Sequence, residues 1–286
     1  MTKKKKIGIA ITAVLAAAAL FCGIMFAVQY SDAKNSEDSF SELSEMIVEP
    51  EADAVESEES VETDPEALTD EEIAAAIAAA AHEKYSALFD QNNDFIGWIC
   101  IEGTNVNYPV MQTPDNPDYY LKHSFEKTYS DYGVPYIEES CAVGLSNNVV
   151  IYGHHMKNGS MFADLCKYTD KDFYEEHKTI QFDTLSTLGK YEVVAVFKFT
   201  TNKETFKYNE CCTMNEEAFK EFMSQVHERE LYDTGVDAEY GDQLLTLSTC
   251  EYTIASFIER LVKAWRTVCK RYVRTSRMNG LCAIFQ

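Results

Sequence analysis

Residues 95 to 110 read FIGWICIEGTNVNYPV. The stretch holds two short apolar runs, 95–101 and 106–110, separated by a turn that contains Gly103 and Asn105. Short apolar runs broken by Gly, Pro and Asn are typical of β-strands. Further runs of this kind follow at residues 149–152, 179–182, 191–199 and 243–248. The pattern predicts a mainly β domain built as a largely antiparallel sheet or barrel.

Two helices are predicted beside these strands. Thr69 and Glu72 form a capping box ahead of an alanine-rich run, which predicts a helix through about Leu88. Residues 215–230 lie before the last strand-like run, and their apolar side chains recur at helical spacing. These apolar residues are Phe219, Phe222, Met223 and Val226.

The first 30 residues have the composition of a membrane anchor. Lysines occupy positions 3–6, and residues 7–28 then carry no charge over a length sufficient to cross a bilayer as a helix. The lysines predict a cytoplasmic N-terminus. A cleaved signal peptide, or a lipoprotein signal ending at Cys22, is the alternative. The apolar run is longer than a usual signal-peptide core and Phe21 is bulky, so we expect an uncleaved single-pass anchor.

An acidic tract of Ser, Glu and Asp follows at residues 31–67 and predicts a disordered spacer, because it is too polar to bury a core. The whole chain has a formal charge of −22. Such a chain repels phosphate backbones, so no nucleic-acid partner is expected. The charge balance reverses in residues 251–286, which hold two acidic residues against seven basic ones.

The chain has nine cysteines and none of them lies in a Cys-x-x-Cys pair. The spacing predicts neither a disulfide-stapled scaffold nor a structural zinc site, and no metal or organic cofactor is expected. Most of these cysteines are expected to be small buried hydrophobic residues. Their positions are 22, 100, 141, 166, 211, 212, 250, 269 and 282.

One cysteine and one histidine stand where a predicted strand gives way to a loop. Cys250 follows the buried-strand pattern at 244–247, and His154 follows the pattern at 149–152. Thiol catalysis requires a cysteine held near an imidazole, and strand ends are common positions for such groups. The alternative interpretation is that both side chains simply pack in the structure.

The sequences around these residues resemble class B sortases. FIGWICIEGTNVNYPV, followed by Gln112 and by DNPDYYL at 115–121, is similar to the N-terminal signature of that family. VVIYGHHM at 149–156 resembles its histidine motif, and TLSTCEY at 246–252 resembles its cysteine motif. The resemblance implies a closed β-barrel of about eight strands over residues 91–262. It also implies an N-terminal helix at 68–90 and an additional helix before the cysteine strand.

The resemblance further implies a cysteine transpeptidase with Cys250 as nucleophile and His154 as its acid/base partner. His154 is preferred because it directly follows Tyr152 and Gly153, whereas His155 is expected to face solvent or pack in a loop. The implied partners are surface proteins that carry a C-terminal sorting motif and an amine of cell-wall peptide or pilin. The implied location is the membrane of a Gram-positive cell, with the catalytic domain outside.

A third catalytic residue of the family is an arginine at the start of the strand after the cysteine. Arg260 is the candidate and Arg266 is the fallback. Residues 263–286 form an atypical basic segment that departs from the family pattern. Three explanations stay open: a basic extension near the membrane surface, an altered last strand, or a reading-frame error in the gene.

Two other functions remain open at this point. The chain could be a tethered surface-binding module in which Cys250 and His154 only pack. It could also be a sortase-like cysteine peptidase that mainly transfers the acyl group to water.

Overall fold

The structure is a computed structural model and describes residues 3–48, 69–200, 206–251 and 279–285. The chain forms two compact units, Met1–Leu43 and Ser44–Gln286. The first unit is helix α1, Lys3–Glu45. Within the described residues α1 is the one helix long and apolar enough to cross a membrane. Its large apolar side chains, such as those of Phe21 and Phe26, are exposed.

Helix α1 continues well beyond the predicted end of the anchor. We expected a disordered spacer over residues 31–67, but residues 31–45 are helical, so the prediction is wrong for this part. The physical reason is that the tract has no glycine or proline before Pro50, so that no residue breaks the helix. Residues 49–67 of the predicted spacer lie outside the described residues.

The second unit is built on a closed eight-stranded barrel, as predicted. The strands are β1 Phe95–Cys100, β2 Asn107–Met111, β3 Tyr136–Ile137, β4 Asn148–Tyr152, β5 Thr179–Thr184, β6 Lys190–Thr200, β7 Leu244–Glu251 and β8 Asn279–Phe285. Their order around the barrel is β1-β2-β3-β4-β7-β8-β6-β5, and β5 pairs back onto β1. Pairs β2–β3 and β4–β7 are parallel, whereas the other six pairs are antiparallel.

Strand β8 corrects two expectations about the C-terminus. We placed the end of the barrel domain at residue 262, but 279–285 pair with both β6 and β7 and close the barrel. The sequence NGLCAIF explains this, because Asn-Gly followed by an apolar run has the composition of a strand entered from a turn. At least this part of the predicted atypical segment, 263–286, therefore belongs to the sheet.

Helices surround the barrel. They are α2 Asp70–Gln91, α3 Lys171–Glu176 and α4 Glu216–His227, with 3-10 turns at Tyr119–Leu121, Phe162–Thr169 and Tyr208–Glu210. Helix α2 begins at the predicted capping box, in which the Thr69 hydroxyl accepts from the Glu72 amide and the Glu72 carboxylate accepts from the Thr69 amide. Helix α4 is the additional helix predicted before the cysteine strand.

A buried polar contact attaches α2 to the barrel. The Tyr85 hydroxyl donates to the carboxylate of Asp183 on β5 at 2.7 Å, and the Lys84 ammonium lies 3.5 Å from the same oxygen. The Asp183 side chain is almost fully buried. Because a buried carboxylate is costly without partners, these contacts hold one face of α2 against β5.

Candidate active site

The parallel pair β4–β7 brings the two motif strands together. Tyr152, the last residue of β4, is in register with Ser248 on β7. The residues two positions further along the two chains are His154 and Cys250. Neighbouring strands lie about 4.8 Å apart. The two predicted residues therefore lie at the same end of this strand pair, His154 just after β4 and Cys250 near the end of β7, although 96 positions separate them in sequence.

The backbone on both sides of His154 is held in place. The Gly153 amide donates to the Ser248 carbonyl at 3.0 Å, and the Thr249 hydroxyl donates to the Gly153 carbonyl at 2.8 Å. The Phe162 amide donates to the His154 carbonyl at 2.8 Å. A Cβ at Gly153 would lie 2.5 Å from the Phe162 ring. Glycine is therefore required before His154 by the close approach of that ring.

Cys250 is the penultimate residue of β7 and is partly exposed. Side chains two apart on a strand face the same side, so Cys250 shares a face with Ser248. The Ser248 hydroxyl is hydrogen-bonded to the Tyr208 hydroxyl at 2.8 Å. The thiol consequently stands at the end of a fixed strand but remains within reach of solvent.

Tyr136 lies on β3, one strand beyond β4. Its ring is 5.5 Å from the Tyr152 ring, and its hydroxyl donates to the Asp118 carboxylate at 2.7 Å. Burial raises the pKa of Tyr136, the Asp118 hydrogen bond raises it further, and negative charge on Cys250 adds a smaller contribution. This hydroxyl therefore stays protonated.

The His154 imidazole is bound to the loop before β3. Its Nε2 lies 2.8 Å from the Leu121 carbonyl oxygen. A carbonyl oxygen can only accept, so Nε2 carries a proton and the lone pair of the neutral ring lies on Nδ1. Burial lowers the pKa of His154; the Leu121 hydrogen bond and Asp131 oppose this, and Lys122 reinforces it. The ring is therefore mainly neutral at neutral pH.

His155 has a role that sequence reasoning missed. We expected it to face solvent or to pack in a loop, but its Nδ1 lies 2.8 Å from the carbonyl oxygen of Cys250. The Cys166 sulfur is 3.4 Å from the same nitrogen. His155 therefore ties the loop after β4 to the backbone of the cysteine strand. Only the doubled histidine in the motif hinted at this, since the contact spans 95 positions.

The two predicted arginines follow β7 in the chain. Arg260 and Arg266 lie within 252–278, outside the described residues. The choice of Arg260 assumed that the strand beside the cysteine strand starts there. That strand is instead β8, which begins at Asn279 and pairs Gly280 with Cys250. The two neighbours of β7 in the barrel are therefore β4 and β8.

Within the described parts of the chain, no group of three or more His, Cys, Asp or Glu side chains is arranged to hold a metal ion. The end of β7 carries the Cys250 thiol, and the loop after β4 carries the His154 and His155 imidazoles. This set is suited to nucleophilic attack and proton transfer.

Comparison with known proteins agrees with this geometry. The sequence model of the sortase domain family matches residues 99–266, more than half of the chain. The chain belongs to the sortase family. Members of this family are cysteine transpeptidases.

Two relatives share the name Sortase B. The protein of Listeria monocytogenes is 37% identical over 161 residues, which cover 56% of this chain and 64% of that protein. The protein of Staphylococcus aureus is 32% identical over 182 residues, covering 63% of this chain and 72% of that one. The match therefore spans slightly less than two thirds of the Listeria protein.

Solved sortase B structures show the same fold. The sortase of Bacillus anthracis in complex with AAEK1 superposes with a TM-score of 0.63 at 22% identity, covering 90% of this chain and 98% of that chain. The Staphylococcus aureus sortase B–substrate complex gives a TM-score of 0.58 at 26% identity, covering 72% and 85%. The predicted barrel with its N-terminal helix is confirmed.

Proposed function

We propose that this chain is a class B sortase that is anchored in the cell membrane by α1. It cleaves a C-terminal sorting motif of surface proteins and joins the acyl fragment to an amine of cell-wall peptide or pilin. One observation carries the proposal: β4 and β7 are parallel and in register, so His154 and Cys250 lie at the same end of the barrel. The relatives named Sortase B support the choice of class.

In the first half of the reaction the Cys250 thiolate attacks the carbonyl carbon of a peptide bond in the sorting motif. A C–S bond forms, the C–N bond breaks, and the leaving amine takes a proton from the His154 imidazolium. The Leu121 carbonyl holds the Nε2 proton of His154. Nδ1 is therefore the nitrogen that gives its proton to the amine.

In the second half a nucleophilic amine attacks the thioester carbon. His154 accepts the proton of that amine through Nδ1, a new C–N bond forms, and the C–S bond breaks to return the Cys250 thiolate. Transfer to the amine instead of water makes the net reaction a transpeptidation. The exclusion of water from the thioester would decide how much acyl group is hydrolysed.

An arginine supports the charge that develops on the attacked carbonyl oxygen. Its guanidinium suits this task because it is always charged and its donors have a fixed geometry. Arg260 is the candidate and Arg266 is the fallback. Arg277 joins them by sequence position, because it is two residues before Asn279 at the start of β8. Alanine substitution of each arginine would identify the one that raises the rate of thioester formation.

The test uses the full chain in detergent micelles. A panel of sorting-motif peptides is added with and without an amine nucleophile, and the products are resolved by mass. The proposal predicts a peptide thioester on Cys250 and an amine-linked product that requires the added amine. A folded protein that gives only hydrolysed peptide would be a peptidase. One that gives no covalent adduct with any peptide would contradict both enzymatic functions.

The rates at which the cysteines are alkylated distinguish an enzyme from a binding module. In the native protein, iodoacetamide should modify Cys250 before the buried Cys141 and Cys212, because Cys250 is partly exposed and the reactive species is the thiolate. Equal and slow modification of all cysteines would favour the binding module, in which Cys250 has only a packing role.

A further inference from the structure

A second pair of cysteines lies apart from Cys250. Cys141 and Cys212 are 71 positions apart in sequence, yet their sulfur atoms are 2.7 Å from each other. Both residues are buried, with exposed fractions of 4% and 3%. A covalent S–S bond is about 2.05 Å long, so a shift of less than about 1 Å separates this contact from a disulfide.

Backbone contacts with β4 hold both cysteines in place. Cys141 lies in the turn after β3, where its amide donates to the Glu138 carbonyl at 3.0 Å. Its sulfur accepts from the Val150 amide of β4 at 3.5 Å. Cys212 reaches the same strand from the segment before α4, and its carbonyl accepts from the Asn148 amide at 3.0 Å. The pair is therefore formed by the fold itself and does not depend on two mobile side chains.

The two thiols are unequal, which favours disulfide exchange. The hydrogen bond from Cys141 lowers the pKa of Cys212 and raises the pKa of Cys141 itself, and burial raises the latter further. The Ser140 hydroxyl lies 3.4 Å from the Cys212 sulfur and also lowers its pKa. Cys212 is therefore the thiol that becomes the nucleophilic thiolate first.

We propose that Cys141 and Cys212 are a disulfide site that clamps two segments of the barrel periphery together. The oxidant is a small-molecule or protein disulfide. The Cys212 thiolate attacks one of its sulfur atoms and releases one thiol, and the Cys141 thiolate then displaces the second thiol from the mixed disulfide. The oxidant gains two electrons and two protons in total, and the protein loses the two thiol hydrogens. The site does not depend on the proposed transpeptidase activity.

The clamp would join the turn after β3 to the connection between β6 and β7. That connection also contains Tyr208, whose hydroxyl bonds Ser248 two residues before Cys250. Closing a loop between residues 141 and 212 removes many conformations from the unfolded chain. The disulfide thus stabilises the segment that supports the base of the cysteine strand. Disulfides persist outside the cytoplasm, where α1 would place this domain.

Peptide mapping of the full chain in detergent micelles tests the site. The protein is equilibrated with a mixture of oxidised and reduced glutathione, its remaining free thiols are alkylated, and it is digested without reductant. We expect a linked peptide that joins Cys141 to Cys212 and is two hydrogens lighter than the two thiol peptides. Dithiothreitol should convert this peptide back to two alkylatable thiols.

Thermal unfolding gives an independent measurement. Dithiothreitol should lower the Tm of the oxidised chain by about 5 to 10 °C. Cys141→Ala and Cys212→Ala should each abolish this difference, whereas the neighbouring control Cys211→Ala should keep it. Complete alkylation of Cys141 and Cys212 in the oxidised chain would overturn the proposal. A linked peptide that joins either residue to Cys211 instead would also overturn it. Peptide mapping uses the unmodified chain, so this test holds even if a cysteine variant fails to fold.

Discussion

Strand β4 has thiols near both of its ends, and the two regions differ in the burial of those thiols and in the groups around them. Near its start, Cys141 and Cys212 are buried and contact each other. Beyond its carboxyl end, Cys250 is partly exposed, and the loop that carries His154 and His155 contacts the Cys250 backbone through His155. The comparison indicates that a thiol near another thiol is suited to a cross-link. A partly exposed thiol near a strand end, next to a loop that carries imidazoles, is suited to catalysis.

Removing the side chain of Cys250 or His154 should have the largest effect on activity, whereas removing a thiol of the buried pair should have little. Cys250→Ala should give no thioester, and His154→Ala should lower kcat/KM by a factor of about 10² to 10⁴ because the leaving amine loses its proton donor. Rates are measured as amine-linked product by mass. Cys212→Ala is the matched control and should keep activity within a few-fold below its Tm. If Cys212→Ala lowered the rate of product formation as much as Cys250→Ala, the assignment of catalysis to the Cys250 region alone would be contradicted.

Gly153→Ala tests whether the position before His154 must lack a side chain. The new methyl group would lie against the Phe162 ring, so the free energy of unfolding should fall by about 1 to 3 kcal/mol. Displacement of His154 should slow transpeptidation by up to about 100-fold. Denaturant unfolding and product formation measure the two effects.

The double variant Gly153→Ala with Phe162→Leu serves as the control for that contact. The smaller side chain makes room for the methyl group, so the two changes should be less harmful together than the sum of their separate effects. Additive losses would mean that the Phe162 ring is not what excludes a side chain at position 153.

His155 should matter through the backbone of Cys250 and not through proton transfer. His155→Ala removes the donor to the Cys250 carbonyl and should lower kcat about tenfold, the equivalent of one hydrogen bond of about 1 to 2 kcal/mol. His155→Asn keeps a nitrogen donor near the Nδ1 position and should restore most of the rate. The pH profile should not change in either variant. A shifted acid limb would instead make His155 a titrating catalytic group.

The smallest expected effects concern the pKa of His154. Because burial lowers this pKa, the Cys250–His154 pair should lose the first of its two protons below pH 6.5, the ordinary histidine value. At lower pH both groups are protonated and Cys250 is a thiol, so thiolate and imidazolium are not present together and kcat/KM should fall along this acid limb. Lys122→Ala should move the limb to higher pH and Asp131→Asn to lower pH, since Lys122 lowers the pKa and Asp131 raises it. NMR titration of the His154 ring checks both directions. Shifts of the same sign in the two variants would contradict this account.

Local patterns in the sequence were enough to predict much of the fold. The capping box at Thr69 and the helical spacing in α4 depend on residues three or four apart, so they can be read directly from the chain. The end of β4 before His154 was equally readable, whereas β7 runs to Glu251, so Cys250 lies inside the strand and not after it as predicted. Side chains at positions 248–250 are polar or small and gave no local signal that the strand continues. The positions of His154 and Cys250 near the ends of two paired strands were nevertheless predicted. Their catalytic roles remain predictions, which rest on the motifs and on the shared edge of the barrel.

The features that sequence reasoning missed depend on contacts between distant positions. The bond from His155 to Cys250 and the meeting of Cys141 with Cys212 require the register of β4 with its neighbours, which no local pattern encodes. Strand β8 was missed because the basic residues before it dominated the composition. The helical continuation of α1 was missed because acidic composition alone does not break a helix.

A trapped thioester would show whether Cys250 and His154 act as a pair. The full chain and its His154→Ala and His155→Asn variants are mixed with a sorting-motif peptide without amine, quenched in acid, and mapped by mass. We expect a peptide adduct on Cys250 in the unmodified chain and in His155→Asn, and almost none in His154→Ala. An adduct on another cysteine, or equal trapping after loss of His154, would contradict the pairing of His154 with Cys250.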